Sequence, residues 1–147
     1  MKNKIVKLIV IIVAILIIID QISKILVSNL LSEPLGNEYF KLEIVNNTGM
    51  AFGFNDGNLR NIFLSVFVLI IIIRFIKNQL ERIDTKTAIA IAMVLGGAIS
   101  NLIDRIFRGS ILDFIRIYKI PNFNLADLCI VTGWILIIIF LIDFSRK

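Results

Sequence analysis

The chain has 147 residues, 58% of them hydrophobic, and a formal net charge of +5. A soluble domain of this size is about 45–50% apolar, so an excess gathered in long runs points to an integral membrane protein, with its basic residues setting topology rather than binding nucleic acid. Histidine is absent and Cys129 is the single cysteine, which excludes Ser-His-Asp and Cys-His nucleophilic catalysis, an intramolecular disulfide and a cysteine metal cluster.

The N-terminus carries Lys2, Lys4 and Lys7 around an unbroken apolar run at residues 8–19. A cleaved signal peptide begins in a similar way, but Asp20-Gln-Ile-Ser-Lys24 follows in place of a small-residue cleavage site. Apolar character resumes beyond it, so residues 5–27 form a first span. Asp20 and Lys24 stand at i and i+4, which reads as an intrahelical ion pair or as support for a site.

Residues 29–58 hold Pro34, Gly36, Asn37, Gly49, Gly53 and Gly57 and form a turn-rich outer segment. Within it, Tyr39-Phe-Lys-Leu-Glu-Ile-Val45 partly alternates and predicts a short strand. Asn46-Asn-Thr-Gly-Met-Ala-Phe-Gly53 then reads as a loop whose glycines permit close backbone approach. Residues 59–76 are the second span, followed by a charged loop with Arg74, Lys77, Glu81, Arg82, Asp84 and Lys86. The third span, residues 87–107, is rich in Ala, Gly and Ser, which allow close helix contacts. Residues 109–124 read as a second polar loop and residues 125–144 as the fourth span. The expected fold is therefore mainly α: one polytopic membrane domain over residues 1–147, with four transmembrane helices.

Lys and Arg set the orientation. The N-terminus, the loop between the second and third spans, and Arg146 and Lys147 at the C-terminus place more of them on one side than Lys41, Arg60, Arg108, Arg116 and Lys119 place on the other. Both termini should be cytoplasmic, and the segments 29–58 and 109–124 should lie outside.

Polar residues concentrate at the outer ends of spans three and four. Asn101, Asp104, Arg105 and Arg108 stand at i, i+3, i+4 and i+7, on one face of a helix. Charged groups within a bilayer are costly and commonly mark a site. Asp113, Asn124 and Asp127 follow closely. Two carboxylates held near each other share a proton, and such a pair activates water for amide hydrolysis without histidine or metal. Asp104, four residues before Arg108, reads as an ion pair. Asp113 reads as a catalytic acid or as a salt bridge to Arg116. Asp127 with Asn124 forms an N-terminal capping pattern, compatible with a catalytic role. A helix N-terminus favours a charged carboxylate, so Asp127 is the expected base and Asp113 the proton carrier. Cys129 reads as a small buried apolar group, and Ser23-Lys24 as no dyad, since neighbouring helix residues diverge.

Five blocks in order resemble the lipoprotein signal peptidase (signal peptidase II) family over nearly the whole length: Asp20-Gln-Ile-Ser-Lys24, Asn47-Thr-Gly-Met-Ala-Phe-Gly53, Gly96-Gly-Ala-Ile-Ser-Asn-Leu-Ile-Asp-Arg105, Leu112-Asp-Phe114 and Phe123-Asn-Leu-Ala-Asp127. The resemblance implies a monomeric bacterial inner-membrane aspartic endopeptidase, without cofactor or metal. It would cut a prolipoprotein just before its diacylglyceryl-modified cysteine. Asp113 and Asp127 would be the catalytic pair. Asn47, Asn101 and Arg105 would hold the substrate backbone. Asp20, Lys24, Gly49, Asp104, Asn124 and Ala126 would support the site, and residues 29–58 would form a small β-rich cradle over it. Two departures from the family pattern are Ser100, where glycine is usual, and a shorter interval between Asp113 and Asp127. The rival readings are a small ion-coupled transporter and a structural membrane protein. Against the first, the polar groups gather at one membrane face and no inverted repeat is visible.

Overall fold

The computed structural model describes residues 2–49 and 58–145. Their helices are α1 (Lys2–Leu30), α2 (Asn58–Gln79), α3 (Thr85–Phe107) and α4 (Leu125–Ser145). The strands are β1 (Leu35–Gly36), β2 (Phe40–Asn47) and β3 (Ile111–Ile117). Each helix covers an expected span and overruns it by a few residues. The apolar stretches of α1, α2 and α3 are long enough to cross a bilayer, and α4 carries a shorter apolar run at Leu125–Phe140.

Helix α3 is central and packs against the other three. Its composition permits this. A Cβ on Gly97 would lie 2.3 Å from the Ala126 carbonyl oxygen of α4, and one on Gly96 would lie 3.0 Å from Leu16 Cβ of α1. Gly133 on α4 repeats the device, because a Cβ there would fall 2.7 Å from the Ala90 carbonyl oxygen. Small residues thus substitute backbone proximity for side-chain volume, the packing mode of helices in lipid. Ile5, Ile9, Leu69, Ile76, Ile83, Ala88, Ile91, Ala92 and Leu95 build the apolar core at the end nearer the N-terminus of the chain. At the other end the interior turns polar: Asp20, Lys24, Ser100, Asn101, Asp104 and Arg105 are buried while Ile18, Ile19, Ile22, Ile25 and Leu26 face outward. That inversion, with apolar groups outside and charged groups inside, is what a lipid solvent selects.

The strands pair antiparallel in the order β1-β2-β3. The strand expected at residues 39–45 is present and runs on to Asn47. A bulge between Leu42 and Val45 shifts its register against β3. The segment 109–124, expected as a polar loop, instead supplies β3. Ile111, Leu112, Asp113 and Phe114 are all buried, so the strand lacks the alternation that marks a half-exposed one in sequence. After Ile117 the chain turns sharply, with Tyr118 at φ 39° and the Ile120 N–H donating to the Ile117 carbonyl at 2.8 Å. It then returns along β3 through a bridge between Phe123 and Ile115. The short interval between Asp113 and Asp127 is filled by this turn and return. Tyr39 and Tyr118 stack at its tip, ring centroids 5.7 Å apart, with Lys119 over the Tyr118 ring.

Candidate active site

Strand β3 and the N-terminus of α4 bring the two candidate acids to one place. Asp113 is 1% exposed and Asp127 is half-buried. Asn124 joins them. Its Nδ2 donates to Asp113 Oδ1 at 2.7 Å, and its Oδ1 accepts from the Asp127 N–H at 2.9 Å. The Asn124 N–H in turn donates to Asp127 Oδ2 at 3.3 Å, closing the reciprocal cap expected from sequence.

Each carboxylate receives one further carboxamide. Asn47 stands opposite Ile111 across the sheet, so its diagonal neighbour on the same face is Asp113. Its Nδ2 donates to Asp113 Oδ2 at 2.9 Å. Asn101 Nδ2 donates to Asp127 Oδ1 at 2.7 Å, and Asn101 Oδ1 accepts from Lys24 Nζ and Asn124 Nδ2, both at 3.2 Å. Both asparagines expected to hold substrate therefore orient the acids. Burial pushes the Asp113 carboxyl up to about 6; the Asn47 hydrogen bond works against that shift and the nearby Asp127 charge adds to it.

Asp104 lies apart from this pair, as its position before Arg108 suggested. Arg108 Nη1 pairs with its Oδ1 at 2.5 Å and Lys24 Nζ with its Oδ2 at 2.7 Å. Lys24, fully buried, also pairs with Asp20 Oδ2 at 2.6 Å. Asp20 Oδ1 accepts the Ala126 N–H at 2.9 Å, satisfying an N-terminal donor of α4 from another helix. Asp20 and Asn124 thus cap α4 together and fix where Asp127 sits.

Arg105 Nη2 donates to the Gly49 carbonyl at 3.2 Å, and the Gly49 N–H donates to Asn47 Oδ1 at 3.0 Å. Met50, Ala51, Phe52 and Gly53 of the same block lie outside the described residues, as do Gly57, Arg146 and Lys147. Arg116 pairs with Glu43, not with Asp113. Lys41 foremost, with Asn122 and Arg116, holds the Glu43 carboxyl down at about 2. Ser23 Oγ donates to the Asp20 carbonyl, and Cys129 is a half-buried free thiol.

Three contributors escaped the sequence reading. Gln21 Nε2 donates to Ser100 Oγ and to Asp104 Oδ1, both at 3.0 Å. Ser100, noted only as a departure, donates from Oγ to Asp20 Oδ2 at 2.6 Å. Asn61, at the head of α2, is 2% exposed. Gln21 lies one position from Asp20, and the expense of an asparagine carried into an apolar helix was the signal for Asn61.

The model of the family described as signal peptidase (SPase) II matches residues 12–143. A lipoprotein signal peptidase of Symbiobacterium thermophilum is 36% identical over 140 residues, covering 89% of this chain and 91% of its own. One from Fusobacterium nucleatum is 37% identical, covering 90% and 85%. A bacterial membrane enzyme solved by the in meso method at 2.3 Å resolution superposes with a TM-score of 0.81 at 28% identity, over 95% of this chain and 90% of the solved one. The transporter and scaffold readings fall away, and the chain belongs to the signal peptidase II family, an aspartic peptidase family.

Proposed function

We propose that Asp113 and Asp127 are the catalytic pair with which this membrane peptidase removes the signal peptide from prolipoproteins. The observation that carries the reading is the kind of partner each acid has. Carboxamides hold Asp113 and Asp127, whereas Asp20 and Asp104 pair with Lys24 and Arg108 in addition to the hydrogen bonds they accept from Ala126, Ser100 and Gln21. A carboxylate fixed by amides can still exchange a proton with substrate, while one paired with a buried cation is engaged as its counter-ion. Asp127 serves as the ionised base: it takes a proton from a water whose oxygen adds to the scissile carbonyl. Asp113, with its carboxyl near 6, gives its proton to the departing amine. Arg105 holds the Asn47–Gly49 turn against the site and, with that turn, steadies the substrate backbone.

The finer assignments follow the family's chemistry. The cut falls just before the diacylglyceryl cysteine. The substrate reaches the pair laterally, so its acyl chains stay in lipid. Four spans cross the inner membrane with both termini cytoplasmic, the three-stranded cradle lies over the outer face, and the enzyme acts as a monomer.

Cleavage of a diacylated prolipoprotein by the purified protein tests the pair. Asp113→Asn and Asp127→Asn should each lower turnover by at least about a thousandfold while remaining folded. Asp104→Asn should chiefly lower the melting temperature. A folded but inactive Asp104→Asn beside an active Asp113→Asn would reassign the pair.

A further inference from the structure

Helix α2 is the odd member of the bundle. Its buried side chains among the described residues are Leu69, Ile76 and Asn61. Two of these are ordinary core. A buried carboxamide in an apolar helix is costly unless fully partnered. The Asn61 carboxamide is anchored through Nδ2, which donates to the Thr48 carbonyl at 2.9 Å; the Ser65 hydroxyl caps only the Asn61 backbone carbonyl, at 2.8 Å.

Thr48 is itself exposed, so its side chain does not explain the contact. Its neighbours do. Asn47, before it, donates to Asp113, and Gly49, after it, accepts from Arg105. The Gly49 N–H closes the turn on Asn47 Oδ1. This turn carries two of the site's contacts, and Asn61 grips the peptide between them.

We propose that Asn61 is a positioning residue: from α2 it holds the Thr48 carbonyl and thereby sets the Asn47 carboxamide on Asp113 and the Gly49 carbonyl on Arg105. This rests on the assignment of Asp113 to the catalytic pair. The consequence is that α2, through one contact with a backbone carbonyl, governs the geometry of one of the acids. The charged groups acting on Asp113 are Asp127 on α4, Lys24 on α1 and Arg105 on α3, and a change at Asn61 replaces none of them.

Asn61→Leu keeps the volume and removes the donor. Cleavage of a diacylated prolipoprotein should show kcat lowered about tenfold, with KM nearly unchanged. The pH–kcat limb belonging to Asp113 should move upward, because the Asn47 hydrogen bond that holds its carboxyl down is weakened. In an Asn47→Ala background the same change should cost less than about twofold, since the group it positions is gone. An unchanged pH limb, or effects that multiply in the double variant, would make Asn61 a mere tether and overturn the inference. Should Asn61→Leu not fold, Asn61→Gln and Asn61→Ala replace it: the variant that keeps a donor should turn over faster, and equal rates sink the idea. Asp113→Asn measured alongside separates the two claims. Near-native turnover there removes the catalytic pair itself, and the inference with it.

Discussion

Two groups of acids are joined through Asn101, which meets Lys24 on one side and Asp127 on the other, and they behave as opposites. Around Lys24, the acids Asp20 and Asp104 meet an ammonium and a guanidinium. Around Asn124, the acids Asp113 and Asp127 meet carboxamides and backbone N–H groups. The first arrangement fixes charge and joins α1 to α3. The second fixes geometry and leaves a proton to move. Burial alone does not make an acid catalytic; the chemistry of its donors decides what burial is used for.

The comparison can be broken most forcefully at Lys24. Lys24→Met leaves Asp20 and Asp104 buried with a cation lost, a change worth about 3–5 kcal/mol in other buried pairs. Melting of the purified variant in detergent should show a large destabilisation, and a curve close to the native one would mean that the cluster is not held by charge.

A second test separates the groups by pH. The Asp113 carboxyl rises from 3.8 to about 6 on folding. A raised acid favours the fold while protonated, so that stabilisation is complete below about 4 and lost as pH rises through about 6. Asp113→Asn cannot ionise. It should melt higher than the native protein at pH 7, and the gap should narrow on acidification towards pH 4. An equal gap at both pH values would place the titrating proton elsewhere.

The smallest effect is expected at Ser100. Ser100→Ala removes the hydroxyl that donates to Asp20 Oδ2 but leaves Lys24 and the Ala126 N–H in place. A loss of about 1 kcal/mol in stability, with turnover within about twofold of native, is the outcome that sharpens the division. A collapse of turnover would show that the structural cluster reaches into the chemistry.

The helices were legible because apolar runs of spanning length carry their own signal. The spacing of Asn101, Asp104, Arg105 and Arg108 made the inward face of α3 readable, and Asn124 with Asp127 announced the cap. Strand β3 was hidden because its first four residues are all buried, which removes alternation. The sharing of Lys24 between Asp20 and Asp104 was hidden for another reason. An i, i+4 pair is written in one helix, but its second acid comes from a helix 80 positions later in the chain. The same limit hid what Asn61 holds, because its partner is a backbone carbonyl and leaves no trace in residue type.

Consider finally how the charged pairs are distributed before the helices meet. Asp20 and Lys24 lie one turn apart on α1, and Asp104 and Arg108 lie one turn apart at the end of α3. Each segment can therefore enter the bilayer with its acid and base mutually compensated at nearly the same depth. When the helices associate, Lys24 gains Asp104 without surrendering Asp20. Asp20, Lys24, Asp104 and Arg108 then need not wait in lipid for a partner from another helix, and the electrostatic cluster that joins α1 to α3 is assembled from pairs already compensated on insertion.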